Sequence, residues 1–187
     1  MARPLILVLG GTRSGKSTFG MTRIGELAGN GPVTYLATAN SAPGVDPELD
    51  ERIARHRAVR PESWATIEVG VDLPGAIARV DRENAILLDG LTLWLSALMD
   101  ARGAEPDGLI DRLLDGPVRA GLAAIDEHRG PVVVVSDEIG LGMVPMDPGS
   151  RAFRDLQGIV HQRLAASADE VVLTVAGLPL ALKTFQP

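Results

Sequence analysis

The chain has 187 residues, 45% of them hydrophobic, with a formal net charge of −6 and no cysteine. That length suits one compact domain with a buried core, no apolar run is long enough for a membrane span, and the acidic balance argues against general binding to DNA or RNA. Without cysteine there is no disulfide framework and no thiolate chemistry, which suits a cytoplasmic enzyme.

The N-terminal MARPLILVLGG holds an apolar stretch of only about six residues that runs into a glycine loop, which fits a buried strand over 5–10 better than an export signal. Directly after that strand, GGTRSGKST (10–18) contains G-x-x-x-x-G-K-S from Gly10 to Ser17, and a helix is predicted from Ser17 to Ala28. Strand, loop and helix in that order are the setting of a phosphate-binding loop. Gly10, Gly11 and Gly15 permit a turn that points successive N–H groups at phosphate oxygens, aided by the positive end of the helix. Lys16 is placed to bridge the β- and γ-phosphates, and the Ser17 hydroxyl to ligate Mg2+. Only two of the 18 basic residues are lysines, and one of them is Lys16. The chain is expected to bind a nucleoside triphosphate.

VTYLA (33–37) reads as the second strand, and the loop after it, beginning ATANSAPG, leads to a helix predicted over 47–60. Asp46 is a cap for that helix, Pro47 its first position and Arg60-Pro61 its end. On it Arg52, His56 and Arg60 share one face at i, i+4 and i+8. Glu48–Arg52 and Glu51–Arg55 are i,i+4 pairs, so a salt-laced solvated helix is the plain alternative. Three features point elsewhere. A polyphosphate binder gives a guanidinium stripe an anionic partner, neighbouring cations keep His56 neutral and nucleophilic, and loops at the carboxyl ends of parallel strands form the ligand crevice. A neutral imidazole there could attack the α-phosphorus and expel pyrophosphate, leaving a nucleotidyl-histidine.

Further along, ATIEV (65–69) and AILLD (85–89) read as strands flanking a helix over 72–81, and helices follow over 91–101 and 107–128. PVVVVS (131–136) is another buried-type strand, GLGMVPMDPGS (140–150) a mobile active-site loop, and 150–168 a helix. EVVLTVA (170–176) and a short antiparallel C-terminal strand at LALKTF (180–185) close the series. Asp89 could orient the magnesium through water, with Asp137 and Glu138 competing for that duty. His128 is expected at a helix C-terminus, His161 packed or on the surface, and Trp64 and Trp94 in the core. Continuous apolar strands alternating with helices predict a single three-layer α/β domain over 1–187, with a mostly parallel sheet covered on both faces.

Six stretches carry a family resemblance over nearly the whole chain: GGTRSGKS, YLATA, RIARHRAVRPESW, ILLDGLTLW, VVVSDEIGLGMVP and FRDLQGIVHQRLAASADEVVLTVAGLPLALK. Together they resemble the bifunctional adenosylcobinamide kinase/adenosylcobinamide-phosphate guanylyltransferases of cobalamin assembly. The phosphate loop is shared by many enzymes, whereas the histidine segment and EIGLGMVP are far more diagnostic. The resemblance implies a RecA-like P-loop fold and a homotrimer, a kinase step with ATP or GTP on a corrinoid substrate, and transfer of GMP from GTP through a histidine matching His56. It also implies nucleotide contacts at Gly10, Gly11, Thr12, Arg13, Ser14, Gly15, Lys16 and Ser17, at Ala37, Thr38 and Ala39, at Arg57, Ala58, Val59 and Arg60, and at Glu68 and Asp89. Three positions depart from the family pattern. Ala58-Val59 stands where an Asp-Gly pair is frequent, Asp89 where glutamate is frequent, and Asp137 where asparagine is familiar.

Two other functions fit part of the pattern. A plain small-molecule kinase would use His56 only as a phosphate contact. A nucleotide-dependent switch is a different class, and the [NT]-K-x-D guanine-reading motif of GTPase switches is absent, since neither lysine sits in one.

Overall fold

β1 (Leu5–Gly10) is buried along its whole length and sits inside the sheet. In the computed structural model the described residues are 4–39, 51, 54, 57, 58, 60–101 and 108–184. Seven strands join in the order β3 (Ala65–Glu68), β2 (Val33–Ala37), β4 (Ala85–Asp89), β5 (Val132–Asp137), β1, β6 (Glu170–Val175) and β7 (Leu178–Lys183). Every neighbouring pair is parallel except β6 with β7, which is antiparallel.

Because side chains alternate across a strand, the apolar runs feed two cores at once. Leu5, Leu7 and Leu9 face one layer of helices, and Ile6 and Val8 face the other side. The first layer comprises α2 (Leu73–Ala78), α3 (Leu91–Asp100), α4 (Leu109–Leu113), α5 (Arg119–Glu127) and α6 (Pro148–Ser167). The second side is packed by α1 (Lys16–Ala28), whose Lys16, Gly20 and Ile24 are buried at a four-residue spacing. A Cβ at Gly20 would lie 2.7 Å from Val135 Cγ2, so glycine there lets α1 settle close on the sheet. Trp94 is fully buried and donates its indole N–H to the Val71 carbonyl, which satisfies its one polar atom. Trp64 is half-buried against the second core.

The helix predicted over 47–60 falls largely outside the described residues, and with it Asp46, Pro47, Arg52, Arg55, His56 and Val59. Glu51, Ala54, Arg57 and Ala58 are helical. The continuous helix predicted over 107–128 is broken. α4 and α5 are separated by a distorted turn over Leu114–Val118, where Gly116 takes φ −104° and ψ −107°. Pro117 lacks the N–H an uninterrupted helix requires, and glycine before it accepts the non-helical backbone. α6 begins two residues earlier than predicted, at Pro148, because the Asp147 carboxylate accepts from Ser150 N–H and proline suits a first helical turn. No helix among the described residues is long and apolar enough to cross a membrane.

Candidate active site

Strand register sets the site. Gly10 pairs with Asp137 on one side and Thr174 on the other, and Ala37 pairs with both Asp89 and Glu68. The last residues of these strands therefore form one row at the carboxyl edge of the sheet, with neighbouring strands about 4.8 Å apart. Open α/β sheets bind ligands at that edge. An open cleft of about 650 Å³, solvent at its mouth included, lies there between Lys16, Ser17 and Asp137 at one end and Ala37, Thr38, Ala39, Arg57, Arg60 and Glu68 at the other, with Asp89 between.

The phosphate loop is braced from behind. Ser14 and Thr174 share a hydroxyl–hydroxyl hydrogen bond of 2.8 Å, and Gly177 N–H donates to the Ser14 carbonyl. Gly15 has φ 95°, a left-handed backbone that disfavours other residues, and a Cβ there would also approach Gly177 Cα to 3.1 Å. Arg13 holds a positive φ of 56° on the exposed tip, beside exposed Gly11 and Thr12. No side chain caps α1, so its first N–H groups face the loop's concavity.

Lys16 is buried at the start of α1, with its ammonium 2.6 Å from Asp137 Oδ1 and 3.3 Å from the Gly11 carbonyl. A phosphate entering the loop would compete with Asp137 for that ammonium. Ser17 Oγ donates to Asp89 Oδ1 at 3.1 Å, and the Tyr35 hydroxyl donates to Asp89 Oδ2 at 2.7 Å. Burial first, and the Asp89 carboxylate second, push the Tyr35 phenol far above its ordinary range, so it stays a donor. The three acids that competed on sequence thus occupy different places. Asp89 faces Ser17, Asp137 faces Lys16, and Glu138 turns to the Gly140 N–H.

Ser17 and Asp89 are hard oxygen donors, and no group of three or more His, Cys, Asp or Glu gathers to hold a metal among the described residues. Magnesium suits such a pair, because it keeps several waters and takes phosphate oxygens for the rest of its shell.

On the far side, Thr38 is buried and its hydroxyl donates to the Asp89 and Gly90 carbonyls, fixing the end of β4. Arg57 pairs with Glu68 at 3.0 Å, both side chains being exposed. The Arg60 guanidinium stacks on the Tyr35 ring, 3.3 Å from its centroid. Ala58 is exposed, and His56 and Val59 lie outside the described residues.

Several residues around the site were given no site role by the sequence. Gln157 on α6 donates to Thr92 Oγ1 at 2.9 Å and to the Asp137 carbonyl at 2.5 Å, while Thr92 Oγ1 accepts from Asp137 N–H at 2.8 Å. These bonds fix the backbone of the residue that faces Lys16. His161, one turn beyond Gln157, is buried and bonded to Ser136 Oγ at 2.8 Å. Only the four-residue spacing of Gln157 and His161 hinted at a shared inward face. His128 closes the C-terminus of α5. Its Nε2 donates across to the Asn84 carbonyl at 2.8 Å, which ties the end of α5 to the residue before β4. The 140–150 segment is hydrogen-bonded to the start of α6. Arg154 donates to the carbonyls of Gly140, Gly142 and Met143, and Arg151 to those of Pro145 and Met146.

His161 yields a pH prediction. Burial pushes its imidazole below the usual 6.5, against the upward pull of the Glu138 and Asp137 carboxylates. The unfolded chain then binds a proton at a pH where the folded protein does not, so this stability is present above about pH 6.5 and is lost as pH falls through that value towards the folded one. His161→Gln is expected to flatten the fall in melting temperature on acidification below pH 6.5. An acid limb as steep as that of the parent protein would show that this ring is not the group responsible.

The family described as cobinamide kinase / cobinamide phosphate guanyltransferase matches residues 6–182. The bifunctional adenosylcobalamin biosynthesis protein CobP of Pseudomonas aeruginosa is 39% identical over 178 residues, covering 95% of this chain and 96% of the relative. CobU of Salmonella typhimurium, described in the same words, is 38% identical over 186 residues, covering 96% and 99%. Among solved structures, the flagellar accessory protein FlaH of Methanocaldococcus jannaschii shares the fold with a TM-score of 0.53 at 15% identity, over 97% of this chain and 78% of that one. A phosphate loop at the end of β1, acids aligned at the same sheet edge and a match spanning nearly every element place this chain in the cobinamide kinase / cobinamide phosphate guanyltransferase family.

Proposed function

We propose that the 187 residues work as one bifunctional transferase domain of cobalamin assembly. It phosphorylates the aminopropanol hydroxyl of adenosylcobinamide with ATP or GTP, then joins GMP from GTP to that phosphate, giving adenosylcobinamide-GDP and pyrophosphate. The observation that carries the reading is the row at the carboxyl edge of the sheet. Lys16 and the α1 N-terminus stand where phosphates would sit, and Ser17 with Asp89 stands beside them.

In the kinase step the acceptor oxygen attacks the γ-phosphorus, and the bond to the β-γ bridging oxygen breaks. Lys16 and the loop N–H groups stabilise charge that develops on the phosphoryl oxygens. Magnesium held at Ser17, with Asp89 acting directly or through water, supplies further charge neutralisation. In the guanylyl step the His56 imidazole attacks the α-phosphorus, forming a P–N bond as pyrophosphate leaves. A phosphate oxygen of the corrinoid then attacks the same phosphorus, and the P–N bond breaks to regenerate the histidine. Arg57 and Arg60 at the cleft wall are placed to offset nucleotide charge.

The family resemblance supports a homotrimer. Exposed Leu178, Leu180 and Leu182 along β7 offer apolar surface for a neighbouring copy. The cytoplasm, where GTP and ATP are at hand, is the compartment that fits the reaction.

Incubation with α-labelled GTP, Mg2+ and adenosylcobinamide phosphate tests the proposal. Acid-labile, base-stable label is expected on the protein first and then on the corrinoid, with pyrophosphate released in equal amount. Phosphoryl transfer to adenosylcobinamide without any protein label or pyrophosphate would leave a simple kinase.

A further inference from the structure

Both halves of the cleft meet on Tyr35. Its hydroxyl donates to Asp89 Oδ2 at 2.7 Å, while Asp89 Oδ1 accepts from Ser17 at 3.1 Å. A carboxylate held at one oxygen by a buried phenol has its other oxygen aimed. The Tyr35 side chain itself cannot drift, because it is 3% exposed and packs in the second core with Val33, Leu87 and Val135.

The ring face serves the opposite wall. The Arg60 guanidinium lies 3.3 Å from the ring centroid, and Arg60 Nε is buried with no hydrogen-bond partner. A buried guanidinium N–H without an acceptor is costly unless another interaction holds the group in place, and the stack on the phenol ring does so. Arg60 N–H also donates to the Arg57 carbonyl, and Arg57 in turn reaches Glu68. The seat on Tyr35 therefore fixes Arg60 at the wall of the cleft.

We infer that Tyr35 is a positioning residue with two functions: its hydroxyl orients Asp89 towards Ser17 at the metal end of the cleft, and its ring seats Arg60 at the opposite wall. The inference rests on Ser17 and Asp89 forming the magnesium end, as in the function proposed above.

The test uses the full-length protein and two variants, Tyr35→Phe and Arg60→Met. Mn2+ binding in the presence of GTP is followed by electron paramagnetic resonance, and protein labelling from α-labelled GTP is measured separately. Tyr35→Phe keeps the ring and loses the hydroxyl. It is expected to weaken Mn2+ binding by about tenfold or more, as loss of an outer-shell partner does, and to slow labelling only as far as added metal fails to compensate. Arg60→Met is expected to slow labelling at saturating metal and GTP. Melting curves confirm that each variant is folded. Mn2+ affinity in Tyr35→Phe equal to that of the parent protein would overturn the inference while leaving the proposed function standing. GTP binding indifferent to Mn2+ in the parent protein would overturn both.

Discussion

Replacement of His56 by alanine is expected to abolish protein labelling from α-labelled GTP and to cut guanylyl transfer by a factor on the order of 10⁴, the scale on which removal of a covalent nucleophile acts. Phosphorylation of adenosylcobinamide should continue in the same variant. The two reactions differ in the phosphorus attacked. The kinase step needs an acceptor hydroxyl in line with the γ-phosphorus, and nothing in it requires an imidazole. The guanylyl step needs a nucleophile on the opposite side of the α-phosphorus from pyrophosphate. Assays with each labelled triphosphate, on protein of unchanged melting temperature, distinguish the outcomes. Loss of both reactions together, with the fold intact, would make His56 a binding residue rather than the carrier of GMP.

Lys16→Met should give the complementary pattern. Methionine keeps much of the stem's length and removes the ammonium that lies 2.6 Å from Asp137 at the mouth of the phosphate loop. Both transfers then lose a preorganised positive charge near developing phosphate charge. Each is expected to slow by about 10²- to 10³-fold, or roughly 3–4 kcal/mol of transition-state stabilisation. The effect on folding should be smaller, because the Asp137 side chain is 22% exposed and water can replace its partner. Steady-state rates for both reactions check this, and a kinase-only defect would mean that guanylyl transfer uses a different grip on the triphosphate. The pair of variants forms a discriminating set: one residue serves both reactions and the other only one.

The elements most legible in the sequence were those set by local rules. β1, β2 and β4 have the predicted limits because continuous apolar runs bounded by glycine, proline or a strand-end acid suit a buried parallel strand. The phosphate loop was legible because its glycines answer to backbone geometry that few other residues satisfy. The break at Gly116-Pro117 lies inside the single helix predicted over 107–128. There periodicity reported the buried face, while proline decided the backbone.

The chain's order of residues thus determined a nucleotide-binding loop, strands that alternate with helices, and a family signature in the histidine segment. It did so because each depends on neighbours within a few positions. Which acid serves which partner depended on register across the sheet. Asp89, Asp137 and Glu138 look alike at strand ends, and only the pairing of β1 with β5 and the phenol of Tyr35 send them to Ser17, Lys16 and Gly140 respectively. Tyr35, Gln157 and Thr174 were invisible as site residues for the same reason. Their partners lie between 20 and 165 positions away, and contacts at that separation exist only once the sheet has closed.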